Sequence, residues 1–435
     1  MINKQAVEFT IMTALALNCT IAEHTKFDRK NYPYPDLMKG YQISQFDAPI
    51  GLVGKLSIQV DGQEKEVGIT RVHLEEDVAK LTHRAVVGES YSLVDVNRSG
   101  VPLMEIVGEP DLRSPEEARQ YLMKLHSILQ YLCVSTANME EGSFRCDANV
   151  SIRPEGSKEF LTKVEVKNMN SFRAVFRALE FEVRRQTRAA ENREKIVQET
   201  RGWSEESGET VSQRSKEYAH DYRYFPEPDL PPLVIRREWV EDVKAKLPEL
   251  PEAKHARFMA EYGLPVYDAT LLTGSKEMAD YFENVCRAGD STIPAKTVSN
   301  WLLGSVSAII NENNIDASEF VGKVTTKQLA ELLSLEAKAV VNSATAKSIL
   351  EEMYKTGKSA GEIIAAQGLT QISDTGELEK VAAQVIQANA PAVADYRAGK
   401  AQSLAFMVGQ MMRATKGRAN PKVVTEVLKK KLGEV

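Results

Sequence analysis

The sequence predicts an α+β fold with a mixed N-terminal part and an all-helical C-terminal part. Apolar and polar residues alternate in the strands of a hairpin over residues 55–76 and in the segments 146–152 and 163–167, which is the period of half-buried strands. After Pro232, helical patterns are interrupted by prolines and strand-like alternation is nearly absent. We therefore expect a sheet-bearing domain first and helices after it.

The composition is that of an ordinary globular protein, with 435 residues, 43% hydrophobic and 27% charged, enough for two or three domains. No run of 18 apolar residues occurs, so no membrane span is expected, and the N-terminal residues show no targeting peptide. A net charge of −6 argues against a generally basic nucleic-acid-binding surface. The four cysteines are far apart, which fits a reducing cytoplasm and indicates neither a zinc site nor a disulfide framework.

The first 80 residues predict a helix, an irregular segment and a hairpin. Residues 4–18 have an amphipathic helical pattern, and residues 24–51 are rich in Tyr, Asp, Pro and Gly with little periodicity. Long irregular segments are usually functional, and their Tyr, Lys and Arg side chains suit a base and a phosphate; a packed loop with aromatic anchors is the alternative. The hairpin over 55–76 turns at Asp61-Gly62 and ends in an acidic cluster at Glu75-Glu76-Asp77.

Beyond this acidic cluster, one further carboxylate is expected inside an apolar strand. Residues 103–107 predict a short buried strand that carries Glu105. A buried carboxylate needs a partner, so Glu105 is either a site residue or one half of a buried ion pair. Ser114-Pro115 then begins a helix that ends near residue 132, with serine as N-cap and proline at the first position.

The stretch over 139–172 carries the strongest concentration of polar site candidates. Its two alternating segments form a predicted hairpin, followed by a helix to about residue 190. Alternation places Asp147 on a strand face with Asn149, and Glu165 on a face with Lys167. Carboxylate oxygens suit Mg²⁺ and a nearby lysine suits phosphate. A solvated sheet face is the alternative interpretation.

The C-terminal end has the opposite charge from the rest of the chain. Residues 396–435 contain nine basic and two acidic residues, a net charge of +7. Such an end can contact a nucleic-acid backbone, or it can be a solvated helix face. The candidates for this contact are Arg413, Lys416, Arg418, Lys422, Lys429 and Lys430.

Long motifs spread over the chain resemble one family. They are, in order, KFDRKNYPYPDLMKGYQISQ, HLEEDVAK, VNRSGVPLMEIVGEPD, MEEGSFRCDANVSIRP, EVKNMNSF, QETRGW and HDYRYFPEPDLPP. Together they closely resemble the B subunits of aspartyl/glutamyl-tRNA amidotransferases, and the resemblance covers essentially the whole chain.

The resemblance implies three domains and a multi-subunit ligase. The domains are a cradle of antiparallel sheet and helices over 1–235, a helical domain over 236–366 and a tRNA-contacting tail over 367–435. The implied partners are an amidase, which is the A subunit of such complexes, and a small C subunit. With ATP and Mg²⁺, a B subunit of this family phosphorylates the side-chain carboxylate of Glu on tRNA(Gln) or of Asp on tRNA(Asn). Ammonia from the amidase then displaces the phosphate.

The resemblance also ranks the site residues. The first candidates for catalysis and for the metal are Glu76, Asp147 and Glu165, expected on one rim of one sheet with their carboxylates within about 10 Å of one another. Further metal candidates are Glu75, Glu105 and Glu141. The candidates for ATP and phosphate are Lys30, Lys80, Arg145 and Lys167, and the basic residues of the tail are those for tRNA.

The family begins with a strand of the form G-L-E-x-H, which the sequence does not contain. Either the start was assigned too far downstream, or the protein is short and its metal site and sheet edge are incomplete. Low activity of the chain as written is expected. Two other functions stay open. One is a non-catalytic tRNA-binding or assembly subunit, and the other is a ligase that joins an amine to the carboxylate of a free amino acid. The sequence does not determine which misacylated tRNA is the substrate.

Overall fold

Strands alternate with helices up to about residue 250, and helices alone follow, which confirms the predicted α+β class. The computed structural model describes residues 2–86, 89–215, 222–289, 293–369, 375–400, 402–415, 419 and 421–433. The chain divides into two units, Met1–Pro251 and Glu252–Val435.

The first unit contains the strands and four of the described helices. The strands are β1 Thr20–Ile21, β2 His24–Thr25, β3 Asp28–Asn31, β4 Tyr41–Ser44, β5 Gly51–Val60, β6 Gln63–Glu76, β7 Lys80–Val86, β8 Glu89–Asp95, β9 Pro102–Gly108, β10 Ala148–Val150, β11 Val164–Lys167, β12 Glu199–Ser204, β13 Glu209–Ser215, β14 Phe225–Pro226 and β15 Leu233–Val234. The helices are α1 Lys4–Ala16, α2 Pro115–Tyr131, α3 Phe172–Glu191 and α4 Arg237–Lys244.

The predicted hairpin is the centre of the first sheet, which has the strand order β1-β5-β6-β9. Asp61 and Gly62 both have positive φ, 51° and 77°, as a two-residue hairpin turn requires. Helices α1 and α2 bury their apolar residues against β5 and β6, and Ser114 caps α2 through the backbone N–H of Glu117, as predicted. The sheet thereby fixes the end of β6, where the acidic cluster lies.

The second sheet has the order β10-β11-β12-β13 and is covered by α3. Strands β10 and β11 pair antiparallel, as predicted, and β11 pairs parallel with β12. Val150 and Val166 are buried in the same core as the apolar residues of α3, and Val164 is buried as well. Asn149 and Glu165 therefore occupy the opposite face of the strand pair. Strands β12 and β13 were not predicted from the sequence.

Two predictions about local structure were wrong. Residues 24–51 are not irregular throughout, because β3 and β4 pair within them and β14 adds to β3. The predicted buried strand, β9, is only partly buried because it is the last strand of its sheet and has a neighbour, β6, on one side alone. The side chain of Glu105 is consequently 45% exposed.

The second unit is helical in all its described elements. They are α5 Pro251–Tyr262, α6 Val266–Thr273, α7 Lys276–Ala288, α8 Ala295–Trp301, a π-helical turn Leu302–Val306, α9 Ser307–Asn313, α10 Ala317–Lys323, α11 Thr326–Ala337, α12 Ser343–Thr356, α13 Ala360–Gln367, α14 Thr375–Ala388, α15 Ala390–Arg397, α16 Gln402–Ala414 and α17 Pro421–Gly433. Its apolar residues form one cluster between Phe258 and Leu369 and another between Leu378 and Leu432. Within the described residues, no helix has the length and apolar character that a membrane span needs.

A buried carboxylate joins α3 to the second sheet. The side chain of Glu182 is fully buried and accepts hydrogen bonds from Arg185 and Gln186 of its own helix and from Thr210 of β13. Arg201 of β12 lies 3.1 Å from it. Burial by itself raises the pKa of Glu182, but the hydrogen bonds from Arg185, Thr210 and Gln186 outweigh burial and lower that pKa.

Replacing Glu182 with glutamine should destabilise the first unit by about 3–5 kcal/mol at pH 7, because Arg185 and Arg201 lose their buried counter-charge. Since the pKa of Glu182 is lowered from 4.5, its stabilisation is complete above pH 4.5 and is lost as the pH falls through the lower folded-state pKa. The difference between wild type and Glu182→Gln in urea unfolding should therefore narrow below pH 4.5. The control is Glu180→Gln, which removes a half-exposed carboxylate with one ion pair and should change stability by less than about 1 kcal/mol.

Candidate functional site

A histidine and two glutamates meet where β6 and β9 pair. Alternation puts His73 and Glu75 on the same face of β6, and the antiparallel register places Glu105 of β9 directly opposite His73. The Nε2 atom of His73 lies 3.6 Å from a carboxylate oxygen of each glutamate. Among the described residues, these three offer ligand atoms that all lie within 4.8 Å of one another.

Glu75 is buried and is held by side chains from β4. Gln42 Nε2 donates to one carboxylate oxygen and Ser44 Oγ to the other, each over 3.0 Å. Burial by itself raises the pKa of Glu75, but His73 and the charge of Lys30 outweigh it, so the pKa lies below its ordinary value. Glu75 is thus ionised at neutral pH and fixed in position.

Lys30 is the cation next to this carboxylate. It lies on β3 directly opposite Gln42, the residue that donates to Glu75. Its Nζ lies 4.9 Å from the ring centre of Tyr222, and within the described part of the chain it forms no ion pair. By contrast, the neighbouring Lys26 and Arg29 are paired with acids, Arg29 through two hydrogen bonds to Glu227. Lys30 is therefore available to a phosphate.

The donor set fits Mg²⁺ through the two carboxylates. Arg71 Nε donates to Nδ1 of His73 over 3.4 Å. A neutral imidazole that accepts at Nδ1 carries its proton on Nε2, which lies 3.6 Å from a carboxylate oxygen of each glutamate. Proteins hold Mg²⁺ with one or two carboxylates together with waters and phosphate oxygens. Glu75 and Glu105 meet that requirement, and His73 lies beside both.

Glu76, a first candidate from the sequence, lies outside this group. Its side chain points to the other face of β6, where its carboxylate accepts from the backbone N–H of Ile43 over 3.0 Å and from Lys39 Nζ over 2.8 Å. The carboxylate joins β6 to β4 and to the segment before it. Lys39 and the backbone of Ile43 thus engage the carboxylate of Glu76, and it is Glu75 that lies with His73 and Glu105.

The expectation that Glu76, Asp147 and Glu165 share one rim of one sheet was wrong. Glu76 ends β6 of the first sheet, whereas Glu165 belongs to β11 of the second and Asp147 precedes β10. Asp147 and Glu165 are connected by Lys167, whose Nζ lies 2.6 Å from Asp147 and 3.7 Å from Glu165. The pairing partners of the strands, which local alternation does not specify, decide this division.

Asp147 and Glu165 stabilise the protonated form of Lys167. Partial burial acts to lower its pKa, but Asp147 and Glu165 outweigh burial and raise the pKa above the ordinary value. Glu165 also accepts from Thr200 Oγ1 of the neighbouring strand over 2.7 Å. The group Asp147, Lys167 and Glu165 is therefore a small charged network on the exposed face of the second sheet.

Arg145, a predicted phosphate ligand, forms an ion pair with the buried Asp77 immediately after β6. This ion pair connects the segment before β10, which leads into Asp147, to the end of β6. Glu141 is exposed, and its backbone carbonyl accepts from Arg98. Lys80 is exposed at the start of β7.

Four of the six basic candidates of the tail lie among the described residues. Arg413 on α16 and Lys422, Lys429 and Lys430 on α17 are exposed. Lys430 has a long ion contact of 3.9 Å with Glu379. Lys416 and Arg418 lie outside the described residues.

His73 was not among the residues predicted from the sequence. The available signal was its spacing of two residues from Glu75 on a predicted strand, which puts both side chains on one face. Alternation alone does not reveal that β9 places Glu105 opposite His73, so no local pattern favoured this face over the other.

These features define an α+β domain with a candidate cation site of two carboxylates, followed by a helical unit. Residues 1–241 match the family described as GatB/GatE catalytic domain, and residues 280–432 match the GatB domain. The chain belongs to the GatB family.

Several relatives align with the whole chain. A protein of Dehalococcoides mccartyi (strain CBDB1) is 60% identical, over 100% of this chain and 89% of its own length. One of Moorella thermoacetica is 54% identical over 99% of this chain and 90% of its own length. One of Carboxydothermus hydrogenoformans is 52% identical over 100% and 89%. Each of the three is named as the B subunit of an aspartyl/glutamyl-tRNA(Asn/Gln) amidotransferase.

Replacing Glu75 with glutamine should weaken divalent-cation binding by at least about tenfold, because the buried oxygen donor loses its charge while its shape is kept. Mn²⁺ binding, followed by electron paramagnetic resonance, provides the measurement. The matched control is Glu66→Gln on the same strand, where the carboxylate is exposed and paired with Lys55. Equal Mn²⁺ affinity in wild type and Glu75→Gln would contradict the assignment.

Proposed function

We propose that this chain is the B subunit of a glutamine-dependent tRNA amidotransferase. It uses ATP and Mg²⁺ to activate the side-chain carboxylate of Glu on tRNA(Gln) or of Asp on tRNA(Asn), and the product is the corresponding amide on the same tRNA. An amidase that releases ammonia from glutamine, the A subunit, and a small C subunit complete the complex, which works in the cytoplasm.

The observation that carries the proposal is the carboxylate pair Glu75 and Glu105 beside Lys30. This arrangement can hold a divalent cation and leaves a positive charge free for phosphate, which is what phosphoryl transfer requires of a protein. The named function of relatives at 52–60% identity supports the same chemistry. A ligase for free amino acids has no comparable support.

The proposed reaction has two steps. An oxygen of the substrate carboxylate attacks the γ-phosphorus of ATP, the bond to the bridging oxygen breaks, and ADP leaves with an acyl phosphate in place. Ammonia then attacks the acyl carbon, phosphate leaves and a proton is released. Glu75 and Glu105, with His73 beside them, would hold a divalent cation that would supply positive charge to phosphate oxygens. Lys30 would bind and neutralise the transferred phosphate.

The network of Asp147, Lys167 and Glu165 supplies a second positive charge in this unit. Because two carboxylates raise the pKa of Lys167, the lysine stays protonated at neutral pH. Held by both acids, it presents a fixed ammonium toward the anionic acyl phosphate or its leaving group. Asp147 and Glu165 are therefore positioning residues for Lys167 as well as candidates for cation binding.

Changing Asp147 to asparagine or Glu165 to glutamine should lower ATP-dependent amidation by roughly 100-fold or more, because a charge aimed at the reacting phosphate is displaced. Glutaminase activity should survive, since that site is on the partner chain. The assay compares amidated tRNA with released glutamate in the assembled complex. Glu155→Gln, an exposed acid between the two strands, is the control.

The outcome also separates the two functions that the sequence left open. A non-catalytic tRNA-binding subunit would give full amidation in both variants. Loss of amidation with retained tRNA binding and retained glutaminase activity supports the catalytic role.

The exposed basic residues of α16 and α17 are proposed to contact the tRNA backbone. These helices also supply Met407, Met411 and Leu428 to the last apolar cluster, where they are fully buried. Deleting the end of the chain would therefore remove its core together with its charge. Substitution of exposed side chains separates the two effects.

The triple variant Arg413→Gln, Lys422→Gln and Lys429→Gln should bind tRNA more weakly at low salt. The slope of log affinity against log salt should fall by about one for each phosphate that is no longer neutralised. Filter binding over a series of salt concentrations measures both quantities. A variant with the same change of charge in the first unit, Lys4→Gln with Lys158→Gln and Lys195→Gln, serves as control, and equal behaviour of the two triple variants would refute the proposal.

A further inference from the structure

A continuous series of aromatic rings runs from Lys30 to the surface of the first unit. Lys30 Nζ lies 4.9 Å from the ring centre of Tyr222, whose ring contacts that of Tyr224 edge to face at 5.9 Å. The ring of Tyr224 stacks on that of Phe46 at 4.2 Å with only 10° between the planes. The series brings together the segment after β4 and the segment before β14.

Phe46 is exposed in a way that its packing does not explain. A phenyl ring that only anchors a loop buries both of its faces, because exposed aromatic surface is unfavourable. Tyr224 covers one face of Phe46, yet the residue is 51% exposed. One flat apolar face is therefore presented to solvent, already parallel to a second ring.

The position of Phe46 is fixed on both sides. The preceding residue, Gln45, accepts from the backbone N–H of Leu74, which lies between His73 and Glu75. The following residue, Asp47, forms a 2.8 Å ion pair with Lys26. The exposed ring is thus rigidly attached next to the strand that carries the candidate cation site.

The electrostatics agree with this proximity. Burial raises the pKa of the Tyr224 hydroxyl to about 12, and the charges of Tyr222, Glu75 and Glu105 act in the same direction. One end of the aromatic series is at Lys30, whose charge acts on Glu75. A ligand that covers this region would meet a flat apolar surface, a cation site and a lysine in succession.

We propose that the open face of Phe46, supported by Tyr224, stacks a nucleobase whose attached phosphate is directed toward Lys30 and the carboxylate pair. Stacking on protein aromatics accepts any base, since each base has a π face. In the proposed function, on which this inference rests, two substrates carry an adenosine that fits: ATP, and the 3′ end of the tRNA that bears the amino acid.

The test compares three substitutions in the purified three-subunit complex. Phe46→Leu keeps apolar volume but removes the flat ring, and Phe46→Trp keeps and enlarges the ring. Phe160→Leu is the matched control, because Phe160 is in the same unit and equally exposed at 51% but stacks on no other ring in the described part of the chain. Binding is measured for Mg²⁺-ATP, for full-length tRNA and for tRNA that lacks its 3′-terminal adenosine.

Phe46→Leu should weaken one of the adenosine-bearing ligands by about tenfold. Weaker ATP binding with both tRNAs unchanged identifies ATP as the source of the base. Weaker binding of full-length tRNA alone identifies the 3′ end. Phe46→Trp should bind as tightly as wild type or more tightly.

The inference is overturned if Phe46→Leu changes neither ligand, if Phe46→Trp is as damaging as Phe46→Leu, or if Phe160→Leu has the same effect. Amidation by the wild-type complex is assayed in parallel. If the wild-type complex amidates and Phe46→Leu binds its ligands normally, only the stacking site is disproved. A wild-type complex that binds neither Mg²⁺-ATP nor tRNA and does not amidate disproves the proposed function.

Discussion

The buried carboxylate of Glu75 places the strictest constraint on the first unit. An ionised carboxylate removed from water is costly unless donors and positive charge surround it. Gln42 and Ser44 of β4, His73 of β6 and the charge of Lys30 together meet that need. To satisfy one side chain, the pair β3–β4 must lie across the end of β6, and this requirement brings the phosphate candidate and the cation candidates together.

The same junction is reinforced by the two residues that follow Glu75. Glu76 accepts from Lys39 and from the backbone of Ile43, while Gln42 also donates to the carbonyl of Glu76 over 2.8 Å. Asp77 binds Arg145 and so connects the second sheet's leading segment to the same strand end. Three consecutive acids therefore have three different partners: Glu75 lies with the candidate cation ligands, Glu76 contacts β4, and Asp77 joins the segment before β10.

The two acidic groups of this unit differ in their electrostatic character. Glu75 and Glu105 converge on His73 and bring their oxygens close enough to share a divalent cation. Asp147 and Glu165 converge instead on the ammonium of Lys167. The first group therefore has the geometry of a candidate cation site, whereas a lysine already lies between the acids of the second. The charge of the tail follows a third pattern, exposed and basic, which suits a phosphate backbone.

The elements that could be predicted from the sequence are those that depend on local interactions. The hairpin over 55–76 follows from alternation and the Asp-Gly turn, and α2 and α3 follow from their serine caps and helical periodicity. Local patterns also indicated Glu75, Glu105, Asp147 and Glu165 as polar residues on strands.

Which of these acids act together depends on tertiary packing. Alternation requires Glu75 and Glu76 to lie on opposite faces, but only the packing of β4 and β9 against β6 determines which face holds the buried carboxylate. His73 became a site residue through its register with Glu105, and the separation of the acids into two sheets depended on strand pairings between distant parts of the chain, which no local pattern encodes.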